Sequence, residues 1–121
     1  MKLNAETKNQ IIQELIKKII RISDQKYQER VWIHGQGPEC DDFDETMCQF
    51  FDIIDPVLDD YKNFHISDAQ YHLLVSFCDK LNTFSQYDYP PQKFIESPGW
   101  KKIMIMANEV LQAFNYRKTS T

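Results

Sequence analysis

Ile66-Ser67-Asp68-Ala69-Gln70-Tyr71-His72-Leu73-Leu74 decides the fold class. Ser67 followed three residues later by Gln70 is a capping box, in which two side chains satisfy backbone N–H groups reciprocally at a helix start. Ile66 before the cap and Tyr71 after it supply a hydrophobic staple. The stripe Tyr71, Leu74, Cys78, Leu81 then carries the helix to about Phe84 at helical spacing.

Similar signals lie on both sides. Upstream, Ile11, Ile12, Leu15, Ile16, Ile19 and Ile20 form one face of a helix. Thr7 with Gln10 reads as its capping box, with Asn4 as an earlier alternative. Lys17, Lys18 and Arg21 are placed on the opposite side, late in the helix, where cations suit its negative end. The helix is expected to run on to about Arg30, because no Gly or Pro interrupts it before Gly35. His34-Gly35-Gln36-Gly37-Pro38 is the clearest break in the chain, led in by Val31, Trp32 and Ile33 as core anchors. Asp42 with Glu45 opens the next helix, whose apolar face is Phe43, Met47, Phe50, Phe51 and Ile54. Asp55-Pro56 repeats a start signal and predicts a kink or a new short helix from Pro56 to about Asn63.

Downstream, Ser85 to Gln92 holds Asp88, Pro90 and Pro91 and reads as an ordered, aromatic-rich loop. Ser97-Pro98 caps the last helix, with Trp100, Ile103, Met104, Ala107, Val110, Leu111 and Phe114 inward, and a tail begins at about residue 118. Strand-type alternation never holds for long. The expectation is an all-α protein, a compact bundle of four main helices plus one short helix in a single domain over residues 1–121.

Composition fits that reading and narrows the function classes. Hydrophobic residues make up 42% of the 121, and three glycines are too few for a turn-rich sandwich or barrel. A run of about 18 apolar residues, which a membrane span requires, is absent from the sequence. The polar N-terminus has no secretory signal pattern. Cys40, Cys48 and Cys78 make an odd count without a CxxC pair, which favours reduced thiols in a cytoplasm.

Charge is the least even property of the chain. Between Glu39 and Asp60 lie nine carboxylates and no Lys or Arg: Glu39, Asp41, Asp42, Asp44, Glu45, Asp52, Asp55, Asp59 and Asp60. Formal charge is +3 over residues 1–38, −9 over 39–60 and +2 over 61–121, giving the net −4. A block of this sign repels nucleic-acid phosphate, so no direct nucleic-acid binding is expected. It attracts basic proteins. Its mixture with Phe43, Met47, Phe50, Phe51, Ile53 and Ile54 suggests an acidic rim around an apolar anchor, and these nine carboxylates are the candidate partner-binding residues.

Chemical motifs are missing. His34, Cys40, Cys48, His65, His72 and Cys78 lack the close pairs of a zinc site, and Asp41-Asp42-Phe43-Asp44-Glu45 lacks the glycine and ligand spacing of an EF-hand. Gly35-Gln36-Gly37 is no nucleotide fingerprint. Neither metal, cofactor nor catalytic residue is expected, and a small enzyme using His34 or Cys40 is the weakest reading.

Trp32-Ile33-His34-Gly35-Gln36-Gly37-Pro38-Glu39 with Phe43, and the ending from Trp100 to Ala113-Phe114-Asn115-Tyr116, resemble small helical bacterial immunity proteins of contact-dependent growth inhibition and related polymorphic toxin systems. That resemblance implies a non-enzymatic cytoplasmic protein that binds one toxin domain, often a nuclease, and blocks its active site. No family site residues carry over, because such proteins share no catalytic motif. The alternative is a helical adaptor or regulator that docks another cytoplasmic protein, with a homodimer through exposed aromatics near Tyr87 and Tyr89 as one form of it.

Overall fold

Helix starts in this chain are set by short polar side chains, and the computed structural model, which describes residues 4–39, 41–84 and 89–115, shows how each one works. The first helix, α1 (Ala5–Ser23), is capped by Asn4, whose side chain accepts the Thr7 N–H at 2.7 Å. The start therefore lies one turn before the Thr7–Gln10 box. Leu15, Ile19 and Ile22 are buried, while Ile11, Ile12, Ile16 and Ile20 pack half-exposed at the edge of the core.

The helix does not run on to Arg30. Asp24 adopts an extended backbone and its carboxylate caps a fresh start by accepting the Tyr27 N–H at 3.2 Å. Short acidic side chains compete in this way for backbone that would otherwise stay helical. The restart is α2 (Gln25–Tyr27), which widens into a π-helical turn, Gln28–Ile33. Gln28 stands at the first position of this turn. Its wholly buried amide donates to the Arg21 and Ile22 carbonyls at 3.0 and 2.8 Å and accepts the Trp100 indole N–H at 2.9 Å. Carbonyls left open at the end of α1 are thereby satisfied inside the core.

α3 (Phe43–Asp59) is capped by Asp42, which accepts the Glu45 N–H at 2.7 Å. It passes through Pro56 without breaking, contrary to the start signal in Asp55-Pro56. Pro56 sits in the last turn with Asp52 exposed one turn before it, so the carbonyl deprived of its N–H faces water. A 3-10 turn, Tyr61–Phe64, follows, and His65 at φ 60° reverses the chain. α4 (Asp68–Asn82) begins with the complete capping box: Ser67 accepts the Gln70 N–H at 3.1 Å and Gln70 accepts the Ser67 N–H at 2.8 Å. The remaining Gln70 donor reaches the Ala113 carbonyl at 2.8 Å, which ties the start of α4 to the end of the last helix.

A short helix, α5 (Pro91–Phe94), begins at the end of the segment expected to be a loop, with Pro91 at its first position, where the missing N–H is no loss. Ser85 to Asp88 of that segment, and the tail, lie outside the described residues. α6 (Pro98–Ala113) is capped by Ser97, and its predicted inward residues are buried apart from Phe114, which is half-buried. α1 packs between α3 and α6, and α4 closes on α6. Trp32, Phe43, Phe84, Phe94 and Trp100 join in edge-on and tilted contacts, with centroids from 5.0 Å (Phe43–Phe94) to 6.1 Å (Trp32–Trp100), and bring the π turn, α3 and α5 against α6. The described residues share one hydrophobic cluster and contain no strand.

Candidate functional site

The nine carboxylates of residues 39–60 divide into two groups. Asp41 turns inward, with its side chain 4% exposed. Its oxygens accept from Tyr27 Oη at 2.6 Å, Trp32 Nε1 at 3.1 Å and Thr46 Oγ1 at 2.7 Å, and Arg21 approaches to 3.5 Å. Burial alone would raise the Asp41 carboxyl. The hydrogen bonds from Tyr27, Thr46 and Trp32, with the Arg21 charge, hold it below its usual value. Tyr27 responds in the opposite sense: burial and its bond to Asp41 push the phenol well up. Asp41 is thus a structural hub and is removed from the docking set.

Glu39 is the second carboxylate engaged internally. Arg30 grips it through two parallel bonds of 2.9 and 2.6 Å and also donates to the Gln36 carbonyl at 3.0 Å. This pairing pulls the Glu39 carboxyl down to about 2. Gly37, at φ 101°, passes so close to the pair that a side chain there would collide with both partners. The glycine-rich loop is therefore closed by the Arg30–Glu39 pair and the Arg30–Gln36 bond.

The other seven carboxylates remain exposed: Asp42, Asp44, Glu45, Asp52, Asp55, Asp59 and Asp60. Phe43, Thr46, Met47, Phe50, Ile54 and Val57 take the buried side of α3. At about 100° per residue, Asp44, Glu45, Asp52, Asp55 and Asp59 then share an opposing stripe about 100° wide and roughly 22 Å long. Among the described residues no ion pair reaches this stripe. Its N-terminal members favour the helix dipole. Asp59 opposes it, and no basic residue occupies the last turn to compensate. The apolar residues of 43–54 are not left exposed; Phe51 and Ile53 stay half-buried at its flanks.

Beside the stripe, a groove of about 480 Å³ opens between α1 and α3. Ile11 and Ile53 give it apolar walls, Gln49 and Asp52 line its α3 side, and Glu14 and Lys18 line its α1 side. Sequence reading put Lys18 on the outer face with Lys17 and Arg21. In the fold Lys18 is only 8% exposed, and Arg21 turns to Asp41; Lys17 alone stays outside, paired with Glu14 at 3.0 Å. The signal was present, because Lys18 stands three residues after Leu15 and four before Ile22 on the buried side. Burial, then the nearby Arg21, draws the Lys18 ammonium below its usual pKa. Lys18 makes no hydrogen bond or ion pair among the described residues.

The residues considered for metal or nucleophilic chemistry do not converge. His34, His65 and His72 are exposed on separate elements, and no group of three His, Cys, Asp or Glu among the described residues is placed to hold a metal ion. Cys78 is buried and its thiol is pushed up to about 12 by burial, which disfavours the reactive thiolate. Cys48 is exposed on the acidic stripe, and Cys40 lies outside the described residues. No helix among the described residues is long and apolar enough to cross a membrane. No family model, curated protein or solved structure matches the chain.

Proposed function

We propose that this chain is a non-enzymatic immunity protein that neutralises a basic toxin domain by docking the acidic face of α3 over its active site. One observation carries the reading: five carboxylates on the solvent side of α3 stand without an ion pair among the described residues. Surface carboxylates on a helix are ordinarily interspersed with Lys or Arg at neighbouring turns, which stabilises the helix. Here the last turn carries acid against the dipole with no base to offset it. A basic partner supplies the missing counter-charge, and a toxin that must attract polyanions, such as a nuclease, presents a cleft of matching sign. The immunity-protein resemblance of residues 32–39 and 100–116 points to the same class of partner.

The adaptor reading draws on one observation, the exposure of Tyr89 and Ile105 at 58% each. Tyr87, its other named residue, lies outside the described residues. Co-expression with the product of the adjacent gene separates the two. A toxin-tipped neighbour that co-purifies at one-to-one stoichiometry and loses activity in the complex supports inhibition. A neighbour with metabolic activity unaffected by the chain, or a stable homodimer that leaves the toxin active, overturns it.

A further inference from the structure

Resting on the partner-binding reading above, we propose that the groove between α1 and α3 seats a basic amphipathic helix of the partner, with the C-terminal end of that helix at Lys18. Two packed helices with an open furrow present the ridges against which a third helix lies. The furrow holds about 480 Å³, enough for the apolar side chains of such a helix between Ile11 and Ile53. Asp52, which also belongs to the acidic stripe and has no ion pair among the described residues, flanks it on the α3 side, and Glu14, paired with Lys17 at one oxygen, flanks it on the α1 side, so cations on the flanks of the incoming helix meet a carboxylate on each wall.

Lys18 fixes the direction. It lines the groove at 8% exposure with neither hydrogen bond nor ion pair among the described residues; its stem is covered while its ammonium keeps contact with water, and a helix that displaces that water must supply an acceptor. The last turn of a helix offers one, because its final carbonyls have no partner within the helix and carry partial negative charge. Basic residues also favour the last turn, where Glu14 and Asp52 would receive them. An acidic or purely apolar helix satisfies one of these groups at the expense of the others.

The test uses a synthetic helix of about 15 residues, long enough to hold the conformation, with leucine at i, i+3, i+4 spacing and lysine elsewhere. A glutamate-for-lysine counterpart is the control. Backbone amide shifts and affinity are measured by NMR titration of the full chain. The lysine helix should shift the amides of Ile11, Glu14, Lys18, Asp52 and Ile53, and the glutamate helix should not bind. Ile53→Lys should weaken binding about tenfold or more. Lys18→Met, which keeps the stem and removes the donor, should weaken it about tenfold, the effect of one charge-assisted hydrogen bond. Gln49→Lys blocks the same wall from a half-buried polar position and serves if Ile53→Lys melts early. Should the groove variants bind like wild type while D44N/D55N/D59N loses the helix, the groove is wrong and the acidic-face reading survives. Binding unaffected by either set, or equal binding of the glutamate helix, overturns both. No binding of the lysine helix overturns the groove, and loss in Ile53→Lys but not in Lys18→Met overturns the orientation.

Discussion

Gln28 joins three elements through one buried amide: the end of α1, the π turn and the Trp100 indole. Leucine at this position has similar bulk and no polar atom, so it strands the Trp100 N–H and the Ile22 carbonyl away from water. Gln28→Leu should therefore cost roughly 3 kcal/mol, seen as a fall in Tm on the order of 10 °C. A melt within a degree or two of wild type would contradict this role. Asp41 works the same way on the other side of Trp32. Its folded carboxyl releases its proton more readily than in the unfolded chain. Its stabilisation is therefore fully present above the unfolded value, near 3.8, and is lost as pH falls through the lower folded one. Asp41→Asn should lose roughly 2–3 kcal/mol at neutral pH and flatten the acid limb of the stability profile, which urea titration at several pH values measures. An acid limb as steep as wild type would assign the sensitivity elsewhere. Neither residue was legible for what it does. Gln28 is unremarkable in sequence, and its acceptor bond reaches 72 positions away. Asp41 looks like its neighbours until Tyr27, Trp32 and Thr46 converge on it.

Three element boundaries were legible from short local motifs, whereas the local caps at Asn4 and Asp24 lie in polar runs that offer several candidates. Ser67 with Gln70, Asp42 before Glu45 and Ser97 before Pro98 all cap as their spacing requires, because a capping bond spans only three residues. Boundaries set by tertiary contact were not. The placing of the Gln28 amide in the core depends on Trp100, 72 positions away, and Pro56 is tolerated because its side of α3 faces water. α3 also holds a trade between stability and recognition. Asp59 lies in the last turn, exposed and without an ion pair among the described residues, against the negative end of the helix. Asp59→Asn should therefore raise stability by about 0.3–1 kcal/mol while slowing association with the basic partner. Thermal melts and association kinetics on the same preparation read both effects. Lower stability in the variant would mean that Asp59 has a structural role that the helix geometry does not reveal.

At the scale of the molecule, the hydrophobic cluster and the aromatic group around Trp100 fix α3 with its buried side inward, and that placement turns a charge block in the sequence into a surface. Internal use of Glu39 and Asp41 trims that surface to the carboxylates of α3 and its two flanking residues. The block itself was legible, because net charge needs no fold to be counted. The groove beside it was not, because it depends on how α1 meets α3. The acidic face as the recognition surface is tested by reversing Asp44, Asp52 and Asp55 to lysine and measuring association with the product of the adjacent gene against salt. Reversal of Glu6, Glu96 and Glu109 changes net charge equally at exposed positions away from the stripe. The account predicts that only the α3 variant associates about 10- to 100-fold more slowly and loses the salt dependence, with its melting curve near wild type. Equal rates for the two variants would contradict it.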